Sequence, residues 1–139
     1  MILLDTCVVS EPLKPAPNAG VVAWLDNQLA ESLYLSTVSL AELLAGVAAL
    51  PAGRRRSALA GGLSSLLEKL FAGRILSFDE AAAAQFPRIV TVARKRGITI
   101  SFADAQIAAI AAARGFTVGT RDVDPFVAAG VRVIDPWQG

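Results

Sequence analysis

Four acidic residues occupy positions from which their carboxylates can act together. Asp5 follows the apolar run Ile2–Leu4, and Asp122 follows a second short predicted strand. Glu42 lies in the first turn of a predicted helix that follows another strand. Because ligands of open α/β sheets bind outside the carboxyl ends of the strands, these three acids are expected to share one edge of a parallel sheet. Asp104 begins a helix that precedes a strand, so spacing alone does not place it there.

Converging carboxylates indicate a hard divalent cation. Like charges raise each other's pKa values, and a buried carboxylate is costly unless it is paired, protonated or bound to metal. Mg2+ and Mn2+ prefer such oxygen ligands. The chain contains no histidine, which excludes Ser-His-Asp and Cys-His catalysis, a histidine-based ribonuclease and a Cys/His zinc site. Carboxylates, hydroxyls and basic side chains remain as candidates.

The same acids have ordinary structural explanations. Ser39–Glu42 and Ser101–Asp104 both match the capping box, in which an acid near the start of a helix bonds back to the capping serine. The helix dipole favours an acid there as well. Asp5 can simply begin the turn after its strand. For each acid taken alone, these explanations stay open.

The helical neighbours favour a functional role. Asp104 is in register with apolar residues, so it heads the inward face of its helix. Glu42 heads a face of small residues, which we expect to lie close against the sheet. The aligned neighbours are Ile107, Ala108 and Ala111 for Asp104, and Ala45, Gly46 and Ala49 for Glu42.

Two residues beside the acids are assigned other roles. Asp124 can join the acidic cluster or cap the short helix before Phe126, and the Asp-Pro pair favours the cap. Cys7 is expected to be a buried small apolar residue rather than a ligand or a nucleophile.

The rest of the chain predicts the elements that would position the acids. Short strands separated by helices favour parallel pairing through right-handed crossovers. The predicted fold is one three-layer α/β domain over residues 1–139, with a central, mainly parallel five-stranded sheet flanked by helices. Strands are predicted at Ile2–Leu4, Leu33–Ser36, Arg74–Phe78, Phe116–Thr120 and Val131–Ile134. Helices are predicted from Asn18 to Leu29, around Leu40–Val47, after Arg56 to Leu70, from Asp79 to Arg96 with a kink or break at Pro87, and from Ser101 to Gly115.

Composition sets further limits. The chain has 139 residues, enough for a domain with its own core, and 54% of them are hydrophobic. No apolar run approaches the ~18 residues of a membrane-spanning helix. No secretory signal is visible, and one cysteine fits a reducing compartment, so we expect a cytoplasmic protein. The net charge of +1 means that any nucleic-acid surface must be local.

Two dense basic runs are candidates for such a surface, and either could follow a phosphate backbone. The simpler interpretation of both is a solvated helix terminus. The second run precedes Gly97, where cations complement the helix dipole. The runs are Arg54, Arg55 and Arg56, and Arg94, Lys95 and Arg96.

The motifs together resemble those of the PIN-domain family over essentially the whole chain. Within that superfamily the sequence is similar to the VapC toxins of type II toxin-antitoxin pairs, especially their FitB-like branch. The segments Ser10-Glu11-Pro12 and Asp135-Pro136-Trp137 strengthen the resemblance. The main motifs are Ile2-Leu3-Leu4-Asp5-Thr6, the segment from Ser36 to Leu43, Ala103-Asp104-Ala105-Gln106-Ile107-Ala108 and Thr120-Arg121-Asp122.

The resemblance implies a ribonuclease that uses Mg2+ or Mn2+ and metal-activated water to hydrolyse RNA. It also implies a small DNA-binding antitoxin as partner, a homodimer and a toxin-antitoxin hetero-oligomer. The lack of a long apolar run separately predicts no membrane association. The implied acidic quartet is Asp5, Glu42, Asp104 and Asp122, of which Asp5, Asp104 and Asp122 would hold the metal, with Thr6 and Thr120 as supporting residues. Two positions depart from the family pattern: Cys7 replaces a usual Asn, and Pro125 replaces an Asp that many relatives carry.

Two alternative functions remain open. A phosphohydrolase of the haloacid-dehalogenase type also begins with a strand that ends in Asp, but it needs a second acid where this chain has Cys7. A non-catalytic PIN-like module could instead pair with an antitoxin and help to occupy operator DNA.

Overall fold

Five short strands form a parallel sheet at the centre of the computed structural model, which describes residues 1–138. The strands are β1 (Ile2–Leu4), β2 (Leu33–Ser36), β3 (Ile75–Leu76), β4 (Thr117–Gly119) and β5 (Val133–Ile134). Their order in the sheet is β3-β2-β1-β4-β5, and each neighbouring pair is parallel. The predicted α/β class and five-stranded parallel sheet are confirmed.

Helices fill the connections between the strands. They are α1 (Thr6–Ser10), α2 (Ala19–Asp26), α3 (Thr37–Ala48), α4 (Arg54–Phe71), α5 (Glu80–Lys95), α6 (Phe102–Arg114) and α7 (Val123–Ala128), with single 3-10 turns at Glu11–Leu13 and Ala30–Ser32. None of the helices within residues 1–138 combines the length and apolar character needed to cross a membrane.

The strand order creates a crevice beside β1. The chain leaves β1 for β2 and β3 on one side and later returns to β4 on the other. The segments after β1 and β4 therefore diverge, and the carboxyl edge between them is the kind of place where open α/β sheets bind ligands. Asp5 directly follows β1, and its backbone amide donates to the carbonyl of Gly119 at 2.8 Å.

Two apolar cores cover the two faces of the sheet. Leu3 belongs to the core that includes α5, α6 and α7, whereas Leu4 belongs to the core that includes α1, α2 and α4. Both residues are fully buried, because successive side chains of a strand point to opposite faces. A strand buried on both faces is expected to be apolar throughout, as β1 is. The three-layer arrangement is confirmed.

Side-chain caps of one kind set the starts of four of the longer helices. The capping residues, each of which accepts a hydrogen bond from a backbone amide three residues later, are Asn18, Ser36, Asp79 and Ser101. Gly115 ends α6 with a φ of 69°, in the left-handed region that suits glycine. Helix α5 runs unbroken through Pro87, so the alternative prediction of two separate helices is wrong.

Several predicted boundaries and faces are wrong. Helix α2 ends at Asp26, which leaves Leu29 outside it and 68% exposed. The small-residue face headed by Glu42 is exposed and does not lie against the sheet. The reason is that α3 buries one stripe only, and the larger apolar side chain of Leu43 occupies it. Helix α4 begins at Arg54, so the arginine triplet forms its first turn instead of preceding it.

Gly119 provides a test of the close approach between β1 and β4. A Cβ at this position would lie 2.9 Å from Cδ2 of Leu4 and 3.2 Å from Cγ2 of Ile2, and Leu4 is buried too deeply to move aside. Gly119→Ala should therefore lower the free energy of unfolding by about 1–3 kcal/mol, measured by urea denaturation.

Gly61→Ala is the matched control, because Gly61 lies within α4 and no surrounding atom comes within 4 Å of an added Cβ. This change should raise the free energy of unfolding by roughly 0.5–1 kcal/mol. Equal effects of the two substitutions would contradict the packing explanation.

Candidate active site

Asp5 forms the buried base of the crevice, with 8% of its surface exposed. Its Oδ1 accepts a hydrogen bond from the backbone amide of Thr6 at 2.8 Å, which caps α1. Its Oδ2 accepts a second bond from the hydroxyl of Thr120, also at 2.8 Å. The structural explanation, that Asp5 begins the turn after its strand, is thus correct for one oxygen. The other oxygen is held by a side chain from the end of β4.

Thr120 orients two of the acids at once. Its side chain is fully buried, and its hydroxyl accepts a hydrogen bond from the backbone amide of Asp122 at 3.0 Å while it donates to Asp5. The turn that carries Asp122 is therefore tied directly to Asp5. This geometry agrees with the supporting role predicted for Thr120.

Glu42 joins the site through Thr6. The Thr6 hydroxyl donates to Oε1 of Glu42 at 2.7 Å across 36 sequence positions. The capping box expected for Ser39 and Glu42 is wrong, because α3 begins earlier and its cap is Ser36, whose Oγ accepts from the Ser39 amide at 3.0 Å. The exposed carboxylate of Glu42 is therefore not needed for capping.

Asp104 begins α6 beside the other acids. The Ser101 hydroxyl accepts a hydrogen bond from the Asp104 backbone amide at 3.1 Å, as the capping motif predicts. The residues aligned with Asp104 along the helix, among them Ile107, are fully buried, which confirms that it heads the inward face. Burial, followed by the charge of Asp5, raises the pKa of Asp104 to about 6.

The four carboxylates act on one another electrostatically. Burial is the main cause that raises the pKa of Asp5, and the charges of Glu42 and Asp122 raise it further, against the hydrogen bonds from Thr120 and Thr6. Asp122 and Glu42 also raise the pKa of Asp104. The four predicted acids therefore lie near enough for their charges to affect Asp5 and Asp104.

The donor set fits a hard cation, although the acids do not form a ready-made cage. All four groups offer carboxylate oxygens, which Mg2+ and Mn2+ prefer. Within residues 1–138, no three His, Cys, Asp or Glu side chains lie close enough to hold an ion as they stand. Mutual repulsion favours this separation, and the exposed side chain of Asp122 can change rotamer readily.

Cys7 lies inside the site. Its thiol donates to Oδ2 of Asp5 at 3.9 Å and lies 3.8 Å from the hydroxyl oxygen of Thr120. Burial raises the pKa of the Cys7 thiol, which favours the neutral form over a thiolate ligand or nucleophile. Cys7 was expected to be a buried small apolar residue, but it is half-buried. Its thiol also contacts the Asp5 oxygen that Thr120 holds, which that expectation did not include.

The predicted capping role of Asp124 is wrong. Asp122 occupies the cap position of α7, without a hydrogen bond from its side chain, and Asp124 lies in the first turn of the helix. Its exposed carboxylate is favoured there by the helix dipole.

A second buried acid beside the site was not predicted from the sequence. Glu11 is 4% exposed and accepts a hydrogen bond from Nζ of Lys14 at 3.0 Å. Lys14 holds the pKa of Glu11 below its usual range, and the charge of Arg121 contributes in the same direction. The Arg121 guanidinium also lies 5.2 Å from the ring centroid of Trp137. The Arg121–Trp137 contact ties the residue before Asp122 to the C-terminal segment. The motifs around Glu11 and Trp137 were the available sequence signal.

The two basic runs occupy opposite kinds of helix end. Arg54, Arg55 and Arg56 form the first turn of α4, where the helix dipole disfavours cations. Arg94 and Lys95 lie in the last turn of α5, where the dipole favours them. Arg96 follows them and donates to the carbonyl oxygens of Val127 at 3.0 Å and Ala128 at 3.4 Å, at the end of α7.

A groove of about 670 Å³ meets the acids between α1 and the α3–α4 hairpin. Thr6 and Glu42 line it at the acidic site, and Lys14 and Arg55 add positive charge to its wall. Most of its other lining residues are apolar. One groove therefore joins the acidic site to the arginine-bearing start of α4.

A family model for the PIN domain matches residues 2–131. The chain belongs to the PIN-domain family. Toxin FitB of Neisseria gonorrhoeae and plasmid stability protein StbB of Pseudomonas syringae pv. tomato are each 50% identical to it over 138 residues, with 99% of both chains covered. VapC ribonuclease Y4jK of Sinorhizobium fredii is 46% identical over the same share of both chains.

Solved structures agree with this assignment. The crystal structure of FitAcB from Neisseria gonorrhoeae matches with a TM-score of 0.93 and 50% identity, covering all of both chains. A structure of FitAB bound to a DNA fragment also has a TM-score of 0.93, with 48% identity over 99% of this chain and 96% of the other. The resemblance to the VapC and FitB branch of PIN domains is confirmed.

The raised pKa of Asp104 predicts a pH-dependent stability. Folding raises this pKa from 3.8 to about 6, so the folded state binds the Asp104 proton more tightly than the unfolded state. The contribution of this proton to stability is complete below the unfolded pKa and is lost as the pH rises through the folded pKa. Asp104→Asn stays neutral and should therefore unfold at a higher temperature than the unsubstituted chain at about pH 7.5, and at a similar temperature near about pH 4.

Thermal unfolding of metal-free protein across this pH range measures the effect. Glu68→Gln removes an exposed carboxylate on α4 outside the site and serves as the control. A difference for Asp104→Asn that is the same at every pH would contradict the electrostatic explanation.

Proposed function

We propose that this PIN domain is the ribonuclease toxin of a type II toxin-antitoxin pair. The observation that carries the proposal is the placement of Asp5, Glu42, Asp104 and Asp122 along the carboxyl edge of the sheet. Burial, with a further contribution from the charges of the other acids, raises the pKa values of Asp5 and Asp104 there. The names of the relatives toxin FitB and VapC ribonuclease Y4jK support the class of activity. We infer that the protein acts in the cytoplasm, where RNA substrates are found.

Asp5, Asp104 and Asp122 are the residues that would hold Mg2+ or Mn2+. Asp5 is the fixed member, because both of its oxygens already accept hydrogen bonds. The pKa of Asp104 is raised, and a nearby cation would lower it again and so favour the charged carboxylate. A bound cation would lower the pKa of water and neutralise charge on the phosphate.

Glu42 is placed to handle the attacking water. Thr6 holds one of its oxygens, and its carboxylate lines the groove that meets the site. The second oxygen is available to orient water or accept its proton. Attack at phosphorus with departure of the 3'-oxygen would leave a 5'-phosphate and a 3'-hydroxyl.

The arginine triplet of α4 is the better candidate for contacting the RNA backbone. Among residues 1–138, the ion pair with nitrogen and oxygen atoms within 4.0 Å joins Lys14 to Glu11. No acid in this part of the chain therefore pairs with the arginine triplet at that distance. Cations at a helix N-terminus oppose the dipole, so helix stability does not explain them. Arg55 also lines the groove that reaches Glu42. By contrast, helix-end electrostatics and the hydrogen bonds of Arg96 account for the second run.

We further propose a small DNA-binding antitoxin as partner. The similarity of this chain to those in the FitAB and FitAcB structures supports this assignment. An antitoxin segment in the groove beside the α3–α4 hairpin would cover Thr6 and Glu42 and so block the site. The predicted homodimer stays a prediction.

The first test is cleavage by purified protein freed of antitoxin. Mg2+ or Mn2+ should support cleavage of RNA, and EDTA should stop it. Asp5→Asn should lower the cleavage rate at least about a hundredfold, because removing a charged ligand takes away several kcal/mol of transition-state stabilisation.

Asp124→Asn is the control, and it should retain cleavage. This acid lies in the first turn of α7 and is not among the charges that raise the pKa values of Asp5 and Asp104. Circular dichroism should show that both variants fold. Equal cleavage by Asp5→Asn would indicate a contaminating nuclease and would favour the non-catalytic, antitoxin-binding module.

The second test separates the two basic runs by salt dependence. Replacing Arg54, Arg55 and Arg56 by Gln in the Asp5→Asn background should weaken binding to single-stranded RNA. The slope of log affinity against log salt should fall by about 0.7 for each phosphate that an arginine no longer neutralises.

Arg94→Gln with Lys95→Gln is the matched control and should leave the slope unchanged. The triple variant should unfold at no lower temperature than its parent, because the dipole disfavours cations at that helix end. Equal changes of slope for the two runs would refute the assignment.

A further inference from the structure

One aromatic ring lies exposed at the start of α6, the helix that carries Asp104. Phe102 is the first residue of α6, between the cap Ser101 and Asp104. Its side chain is 69% exposed, whereas the other phenylalanines of the chain are buried or half-buried. The most exposed ring in the described chain therefore lies in the same helical turn as a proposed metal ligand.

The ring of Phe102 is supported from one side. It packs at 63° against Phe86, with the ring centroids 5.4 Å apart, and Phe86 packs edge-on against Phe78 at 5.9 Å. Phe78 and Phe86 both contact the core on this face of the sheet. A ring that packs on one neighbour and stays largely exposed leaves surface for a ligand and gives up little freedom when the ligand binds.

Helix stability does not explain Phe102, and its contact with Phe86 leaves most of the side chain exposed. A single exposed apolar side chain is common and needs no special role. Here, however, Ser101 already caps the helix, and phenylalanine at an exposed helical position is less favourable than alanine. The buried face of α6 is made by other residues, among them Ile107 and Ala108.

We propose that Phe102 is a stacking platform for an unpaired nucleobase of the RNA, next to the phosphate that is cleaved. The proposal rests on the ribonuclease function and adds a substrate contact to it. Proteins that bind single-stranded RNA stack splayed bases on aromatic rings, and such stacking tolerates different bases. Phe102 and Asp104 lie in the same turn of α6, although their side chains leave different sides of the helix. A base on the ring would therefore belong to a nucleotide that flanks the one at the acids.

The two layers of helices give the RNA a path. Helix α4, with its arginines, packs on one face of the sheet, and α6, with Phe102, packs on the other. The acids lie at the sheet edge between these layers. A strand crossing that edge would place phosphates near α4 and a base on Phe102, with the scissile bond between them.

The test measures binding of a short single-stranded RNA by anisotropy in the Asp5→Asn background, which does not cleave it. Phe102→Ala should weaken binding about tenfold, and Phe102→Trp should restore it, because tryptophan also stacks. The salt slope should stay the same, since the ring neutralises no phosphate. A 2-aminopurine beside the cleavage site, located first by mapping the ends of RNA cut by the unsubstituted protein, should change its fluorescence on binding to the parent and the Trp variant, but not on binding to Phe102→Ala.

Leu29→Ala is the matched control, because Leu29 is 68% exposed but lies between α2 and β2. It should leave both readouts unchanged. If Phe102→Ala binds RNA with the same affinity and gives the same 2-aminopurine signal as the parent, the stacking proposal is overturned and the ribonuclease assignment stays intact. Weaker binding that sedimentation traces to a changed oligomeric state would overturn it in favour of a contact between copies. Failure of every variant and of the parent to bind RNA would overturn both proposals.

Discussion

The buried hydroxyl of Thr120 holds the acidic site together. It donates to Asp5 and accepts from the backbone amide of Asp122, so one side chain connects the ends of two strands 115 positions apart. This contact requires β1 and β4 to be parallel neighbours, with Leu4 opposite Gly119. Glycine at that position leaves room for the close approach. The geometry of the site thus depends on the pairing of β1 with β4.

The same arrangement has an electrostatic cost. Burial and like charges raise the pKa values of Asp5 and Asp104, so ionised acids at this edge oppose folding. Functional sites commonly reduce stability in this way. A cation that binds only the folded state would relieve the repulsion and stabilise the protein through that binding. The supporting hydrogen bonds from Thr6 and Thr120 explain how the acids stay oriented meanwhile.

The two helical layers contribute different chemistry around the acids. On one face, the first turn of α4 carries three arginines against its own dipole and borders the groove through Arg55. On the other face, the first turn of α6 carries Asp104 and the exposed ring of Phe102. Neither the basic triplet nor the exposed ring improves the stability of its helix. Both features are explained if a nucleic acid crosses the sheet edge between them.

Local sequence determined the apolar strand β1, the caps at Asn18 and Ser101, the turn at Gly115 and which acids are candidates for the site. Each of these features depends on residues within a few positions of one another. Tertiary structure alone decided which stripe of α3 is buried, that Glu42 bonds to Thr6 instead of Ser39, and which basic run lacks a structural explanation. It also decided that Asp104 reaches the other acids. Such outcomes follow from contacts between distant segments, whose geometry depends on strand order and helix packing, and no local pattern encodes them.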